Sequence, residues 1–217
     1  MSRYHRITAA LDNHHKVSRS LTPSHREMVK DWKLKKQRES NEVPPFEKVL
    51  EVLKASDGWA NEVENAEMLG RGQGFDEGSP EWEEAVEDEL TGELKERYDG
   101  ILWEMDNLDG EDCWRVITLR EDIDPRNLAG VGEYWAQDPG AAEAHWGRFS
   151  RGMQAVLLRA RIDSDNIDKA GMMYARSDLD IGEQEKEVRF LKHAPIWVYD
   201  AKFEDGTVVE INGWRRT

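Results

Sequence analysis

Gly182-Glu-Gln-Glu-Lys-Glu-Val-Arg-Phe-Leu191, written GEQEKEVRFL, sets carboxylates at alternate positions and then runs into an apolar strand pattern. In an extended segment successive side chains point to opposite faces, so Glu183, Glu185 and Glu187 share one face with neighbours about 7 Å apart. Like charges so arranged repel. Such a segment is either a solvated edge strand, the ordinary reading of EQEKEV taken alone, or a place where a reaction needs carboxylates together.

Outward from this stretch the texture is that of strands. CWRVITL, AVLLRARI, EVRFL, IWVYDAKF and TVVEI are short, rich in Val, Ile and aromatics, and separated by turn signals such as Asp205-Gly206. One helix is expected among them, from Asp138 to Phe149. Towards the N-terminus the pattern is helical. Thr22-Pro23-Ser24 opens a basic helix with Met28, Trp32 and Lys35 at helical spacing, and NEVPPF ends it because prolines remove donors and bias the preceding residue away from helix. Phe46, Val49, Leu50 and Leu53 mark a second helical face. Ser79-Pro80 starts a further helix whose stripe is Trp82, Val86, Leu90 and Leu94. Between them, GRGQGFDEGSP is a loop; no strand precedes it and no Lys-Ser/Thr follows, so its glycines do not read as a phosphate cradle. The expectation is an α+β protein: a helical region over residues 1–112 and a mainly β domain over residues 113–217.

Charge narrows the class. The net charge of −15 argues against direct nucleic-acid binding, which needs a surplus of Lys and Arg. The acid is concentrated: residues 1–40 carry 10 Lys and Arg against 4 Asp and Glu, whereas residues 41–112 carry 5 against 23. No apolar run approaches the roughly 20 residues of a membrane span, and the first residues lack the apolar stretch of a leader, so a cytoplasmic protein is expected. A lone Cys113 excludes an internal disulfide. His14 and His15 have no partner at ligand spacing, and no metal site is expected.

Three pieces of the C-terminal half carry chemistry: Arg115 in CWRVI, the aromatic strand Tyr134-Trp135-Ala136 followed by small residues in GEYWAQDPGAAEAHW, and the Glu185-Lys-Glu187 pair. In this order they resemble the mono-ADP-ribosyltransferase family, with its arginine, Ser-Thr-Ser-like and Glu-x-Glu arrangement, over roughly residues 113–203. The resemblance implies two packed antiparallel sheets with flanking helices and NAD as co-substrate. It implies that Arg115 helps hold NAD, with Arg120 a nearby second position; a guanidinium suits phosphate oxygens through paired charge-assisted hydrogen bonds. Tyr134, Trp135 and Ala136 stand where the family carries its hydroxyl motif, and Tyr134 or Trp135 would pack on the nicotinamide. The chain departs from the pattern in having no Ser or Thr there. Glu187 takes the place of the last glutamate: cleavage of the nicotinamide–ribose bond builds positive charge on the sugar, which a carboxylate near the ribose hydroxyls favours. Glu185, facing the same way, would orient or deprotonate the acceptor, and a Glu at that position implies arginine on a protein. The loop before the pair, about Met172 to Gln184, would help choose that acceptor. Two such carboxylates together need a cationic partner or substrate.

The implied function is therefore NAD-dependent transfer of ADP-ribose to a target protein, as a toxin or a phage-borne effector of a host system. A reading from another class stands beside it: the acidic middle segment, net −18, would imitate a nucleic-acid backbone or dock on a basic partner, making the chain a binding inhibitor without catalysis.

Overall fold

A computed structural model describes residues 23–68, 74–76, 78–146, 152–177 and 186–217. Four helices come first: α1 (Pro23–Glu39), α2 (Phe46–Lys54), α3 (Asp57–Met68) and α4 (Pro80–Asp106). Strand β1 (Asp112–Arg120) follows, then β2 (Tyr134–Ala136), a short helix α5 (Pro139–Glu143), β3 (Met153–Arg161), helix α6 (Lys169–Ser177), and strands β4 (Glu187–Arg189), β5 (Pro195–Phe203) and β6 (Val208–Arg216). The fold is α+β, helices first and then sheet.

Helix α4 starts where its sequence says it should. Ser79 is the N-cap, its side chain accepting a hydrogen bond from Trp82 N at 3.2 Å, and Pro80 fills the first turn, where no backbone donor is needed. From there Trp82, Val86, Leu90, Leu94, Tyr98, Ile101 and Met105 recur every three or four residues and are all buried.

All six described strands form one antiparallel sheet in the order β4-β2-β1-β3-β5-β6. The two packed sheets implied by the resemblance are not present among the described residues. The physical reason is continuity of pairing: β1 is matched to β3 along its whole length, from Asp112↔Arg161 to Arg120↔Met153, and β3 passes the ladder on to β5 with a single bulge.

One face of the sheet is the core. Cys113, Trp135, Val156, Leu158, Ala160, Val188, Val198 and Ala201 pack with Val49 and Leu53 of α2, the α4 stripe from Leu90 to Met105, and Met172 and Met173 of α6. The helical half and the strand half therefore share one core rather than forming separate units. Helix α1 is fastened to the same body: Arg216 Nη2 lies 3.1 Å from Glu27 Oε2, Arg38 hydrogen-bonds Asn166, and Leu34 is buried with Leu191 and Ala194. On the other face, α5 sits over β1 and β2, and Lys202 ties it down by reaching Glu143 Oε1 at 3.3 Å and lying over the Trp146 ring.

Two expectations about helices change. The helix expected from Asp138 to Phe149 is the short α5, capped by Asp138 accepting from Ala141 N, and residues 147–151 lie outside the described part. The loop expected from Met172 to Gln184 is helical up to Ser177, and residues 178–185 lie outside the described part. The reason is visible in KAGMMYARS: Met172, Met173, Arg176 and Ser177 form one buried helical face, and Asp168 Oδ1 holds Gly171 N at 2.9 Å at the start.

Candidate functional site

The strands carrying the three sequence pieces are immediate neighbours, β4-β2-β1, at one side of the sheet. Register is specific: Trp114 pairs with Ala136, and Ala136 with Glu187. Directly opposed residues share a face, so Trp114, Ala136 and Glu187 form one row on the face that carries α5. Together with Val116, Tyr134, and Ala141, Ala142 and His145 from α5 and the turn after it, they line a hollow of about 240 Å³. Arg115 and Trp135 complete the lining.

The pleat divides these last two from Glu187. Arg115 alternates with Trp114 and is paired with Leu158, a core residue; Trp135 is paired with Val188, also core. Trp135 is 3 % exposed, its indole Nε1 donates to Gly132 O at 2.9 Å, and its ring meets Phe190 edge to face. Its ring is thus a core anchor and not a platform for nicotinamide. Tyr134, 45 % exposed, stays on the open side, with its hydroxyl accepting from Arg189 Nη2 at 2.7 Å and the Arg189 guanidinium over its ring. The aromatic the sequence reading overlooked is Trp114, on the same row as Glu187.

Arg115 has a particular position. Strands β1 and β2 pair at the single position Trp114↔Ala136, and just beyond it the Arg115 guanidinium donates to the backbone carbonyl of Tyr134. It holds the carbonyl of one strand where the ladder between the two stops. Gly132, at φ +82°, makes this possible: a Cβ there would stand 2.7 Å from Arg115 Cζ. Arg115 Nε is buried without a hydrogen-bond partner. Burial pulls the Arg115 pKa down, and the neighbouring Glu133, Tyr134 and Glu187 pull it back up.

The charge of Glu187 acts on three guanidinium groups, those of Arg115, Arg176 and Arg189. Arg176, on the buried face of α6 and 3 % exposed, donates from Nε to Glu187 O at 2.9 Å and from Nη2 to Gln137 Oε1 at 3.1 Å and Lys186 O at 3.4 Å, while Nη1 is paired with Glu104 of α4. One side chain thus fixes the start of β4 relative to β2 and to the long acidic helix. Burial lowers its pKa, offset chiefly by Glu104. Nothing in the motif reading pointed to Arg176; the signal that finds it is a lone arginine on the apolar face MM··RS of a short helix. Arg120 points elsewhere, paired with Asp122 on the surface. Glu185, Glu183, His14 and His15 lie outside the described residues.

The arrangement provides one carboxylate, two aromatics and a histidine around a hollow. No protein-family model matches this chain, and no curated protein or solved structure matches it either.

Proposed function

We propose that the protein is an NAD-dependent mono-ADP-ribosyltransferase acting on a target protein. The observation that carries this reading is the convergence of the Arg115, Tyr134–Ala136 and Glu187 strands as adjacent members of one sheet, lining one hollow. The residues fit the co-substrate in two respects. Trp114 and Tyr134 offer rings to a nicotinamide, and the Glu187 carboxylate can meet ribose hydroxyls. The hollow of about 240 Å³ suits the nicotinamide riboside end, with the rest of the dinucleotide lying along the open side.

In this reading Glu187 stabilises positive charge developing on the ribose, an electrostatic contribution worth about 10²-fold or more in rate. Arg176 positions that carboxylate through the strand backbone. Glu185 activates the acceptor. Ala136, level with Glu187 in the ladder, supplies no hydroxyl to it. The test is release of nicotinamide from NAD by the wild type and by Glu187→Gln. Release by the wild type and its loss in the variant, at an unchanged thermal midpoint, supports the assignment; full activity in the variant refutes it.

A second reading is favoured by one feature: α4 exposes Glu83, Glu84, Glu87, Asp88 and Glu89 to solvent along a single helix. A binding inhibitor built on that surface would capture a basic partner, and its affinity would fall steeply with salt, whereas turnover of NAD would change little.

A further inference from the structure

A second hollow, of about 420 Å³, lies at the other side of the sheet and belongs to none of the motifs. Its walls are Trp197, Tyr199 and Trp214 from β5 and β6, Arg161 from the end of β3, and Asp109 and Asp163 from the segments flanking the sheet. Arg161, Trp197 and Trp214 follow one another across three strands in register, and the two indole rings meet edge to face at 5.4 Å. Trp214 is 58 % exposed. Aromatic surface left open in this way, beside carboxylates, attracts a cation with an apolar body.

The same sheet already contains a worked example of that recognition. Arg159 lies over the Tyr199 ring at 4.9 Å, with Nε 3.1 Å from Asp112 Oδ2 and Nη1 3.9 Å from Asp200 Oδ2. One aromatic face and two carboxylates hold one guanidinium. The hollow holds similar parts: two indoles in place of the phenol ring, and Asp109 and Asp163 in place of Asp112 and Asp200. Asp109 uses one oxygen to cap Ser164 N at 3.0 Å and keeps the other; Asp163 accepts from Asp165 N and Asn166 Nδ2. Arg161 is the opposing charge in the wall, packed against the turn at Gly110, where a Cβ would meet its Nη2 at 3.2 Å. Two carboxylates against one guanidinium leave the lining acidic, in keeping with the net charge of −15 of the whole chain.

We propose that this hollow is a docking site for an arginine side chain displayed by a partner protein. A guanidinium is favoured over an ammonium because it is planar, stacks on indole and donates a fork of hydrogen bonds to carboxylate. The site is a recognition contact, separate from the hollow under α5, and it operates without NAD.

The experiment uses the full chain, 15N-labelled, titrated with the blocked tripeptide acetyl-Gly-Arg-Gly-amide while the indole N–H signals are followed. Saturable shifts of the Trp197 and Trp214 signals are expected, assigned through Trp→Phe variants. The Gln tripeptide should leave these signals in place, and the Lys tripeptide should bind more weakly by about threefold or more. Trp214→Ala, at an exposed position on an edge strand, should weaken binding about tenfold, and Asp109→Asn, which keeps the cap on Ser164, should weaken it as well. Absence of a saturable shift, equal binding of the Gln or Lys peptide, or undiminished affinity in both variants would each overturn the assignment. Because no NAD is present, failure here leaves the nicotinamide-release test untouched, and failure of that test leaves this one standing.

Discussion

The side chain of Arg176 holds the backbone of Glu187: guanidinium Nε to carbonyl oxygen, 2.9 Å, from a position in α6 that is almost fully buried. Replacing Arg176 by Ala strands the Glu187 and Lys186 carbonyls, Gln137 and Glu104 at once. Breaking a buried ion pair costs about 3–5 kcal/mol, and because Glu104 is 40 % exposed the lower end of that range is expected here. Urea unfolding measures it. A loss below about 1 kcal/mol would mean that water replaces the arginine without difficulty.

Gly132→Ala should destabilise the protein by about 1–3 kcal/mol, since the position combines a left-handed φ with a Cβ that would collide with the Arg115 guanidinium. Arg115→Ala in the same chain removes the collision and leaves only the backbone penalty, about 1 kcal/mol. The two substitutions together should therefore cost less than the sum of their separate effects, which a double-mutant cycle reads directly. Strict additivity would show that the guanidinium does not press on Gly132.

A chain reduced to residues 113–217 is expected not to fold. Its sheet would lose Leu90, Leu94, Tyr98, Ile101 and Met105 from the face on which Cys113, Trp135 and Val188 sit, and Tyr98 also anchors the Pro44 carbonyl at 2.8 Å. Circular dichroism during heating should show no cooperative transition. A sharp transition would establish the strand half as independent.

His193 occupies a left-handed turn, φ 67°, and burial together with Lys192, Lys30 and Arg216 holds its pKa below the ordinary 6.5, against the pull of Glu133. The unfolded chain then binds the proton more readily than the folded one. The stability that His193 contributes is therefore present above pH 6.5 and is lost as pH falls through that value and towards the folded pKa. Asn accepts positive φ without titrating, so His193→Asn should show a smaller drop in urea midpoint than wild type between pH 7.5 and 5.5. Parallel drops in the two proteins would assign the acid sensitivity to other groups.

What the chain discloses in advance depends on how local the cause is. Helix α4 is legible because cap, first-turn proline and apolar stripe all lie within its own residues, and the turn at Asp205-Gly206 is legible because Asp205 caps Thr207 N and Gly206 takes φ +85°. Helix α3 offers only Trp59 and Val63 at helical spacing, too thin a stripe to read. The neighbouring placement of Arg115, Tyr134–Ala136 and Glu187 rests on long-range strand pairing that none of the three segments specifies alone, and none specifies the phase of its own side chains. One residue of register decides whether Trp114 or Arg115 faces the hollow, and that register is imposed by the long β1–β3 ladder rather than by β1 itself. The same holds for Trp135, whose ring is drawn to the core by Val188 opposite it. The Arg176 network joins separate elements, and its local trace is no more than an arginine on the apolar face of α6.

The burial of Cys113 has a practical corollary. Its thiol is fully enclosed, and the apolar surroundings, with Asp112 adding to them, raise its pKa well above the ordinary value, so alkylating reagents find no thiolate on the native molecule. A single cysteine introduced at an exposed position such as Lys192 would carry a fluorophore or spin label without background, reporting on the turn that follows β4 in the unaltered fold.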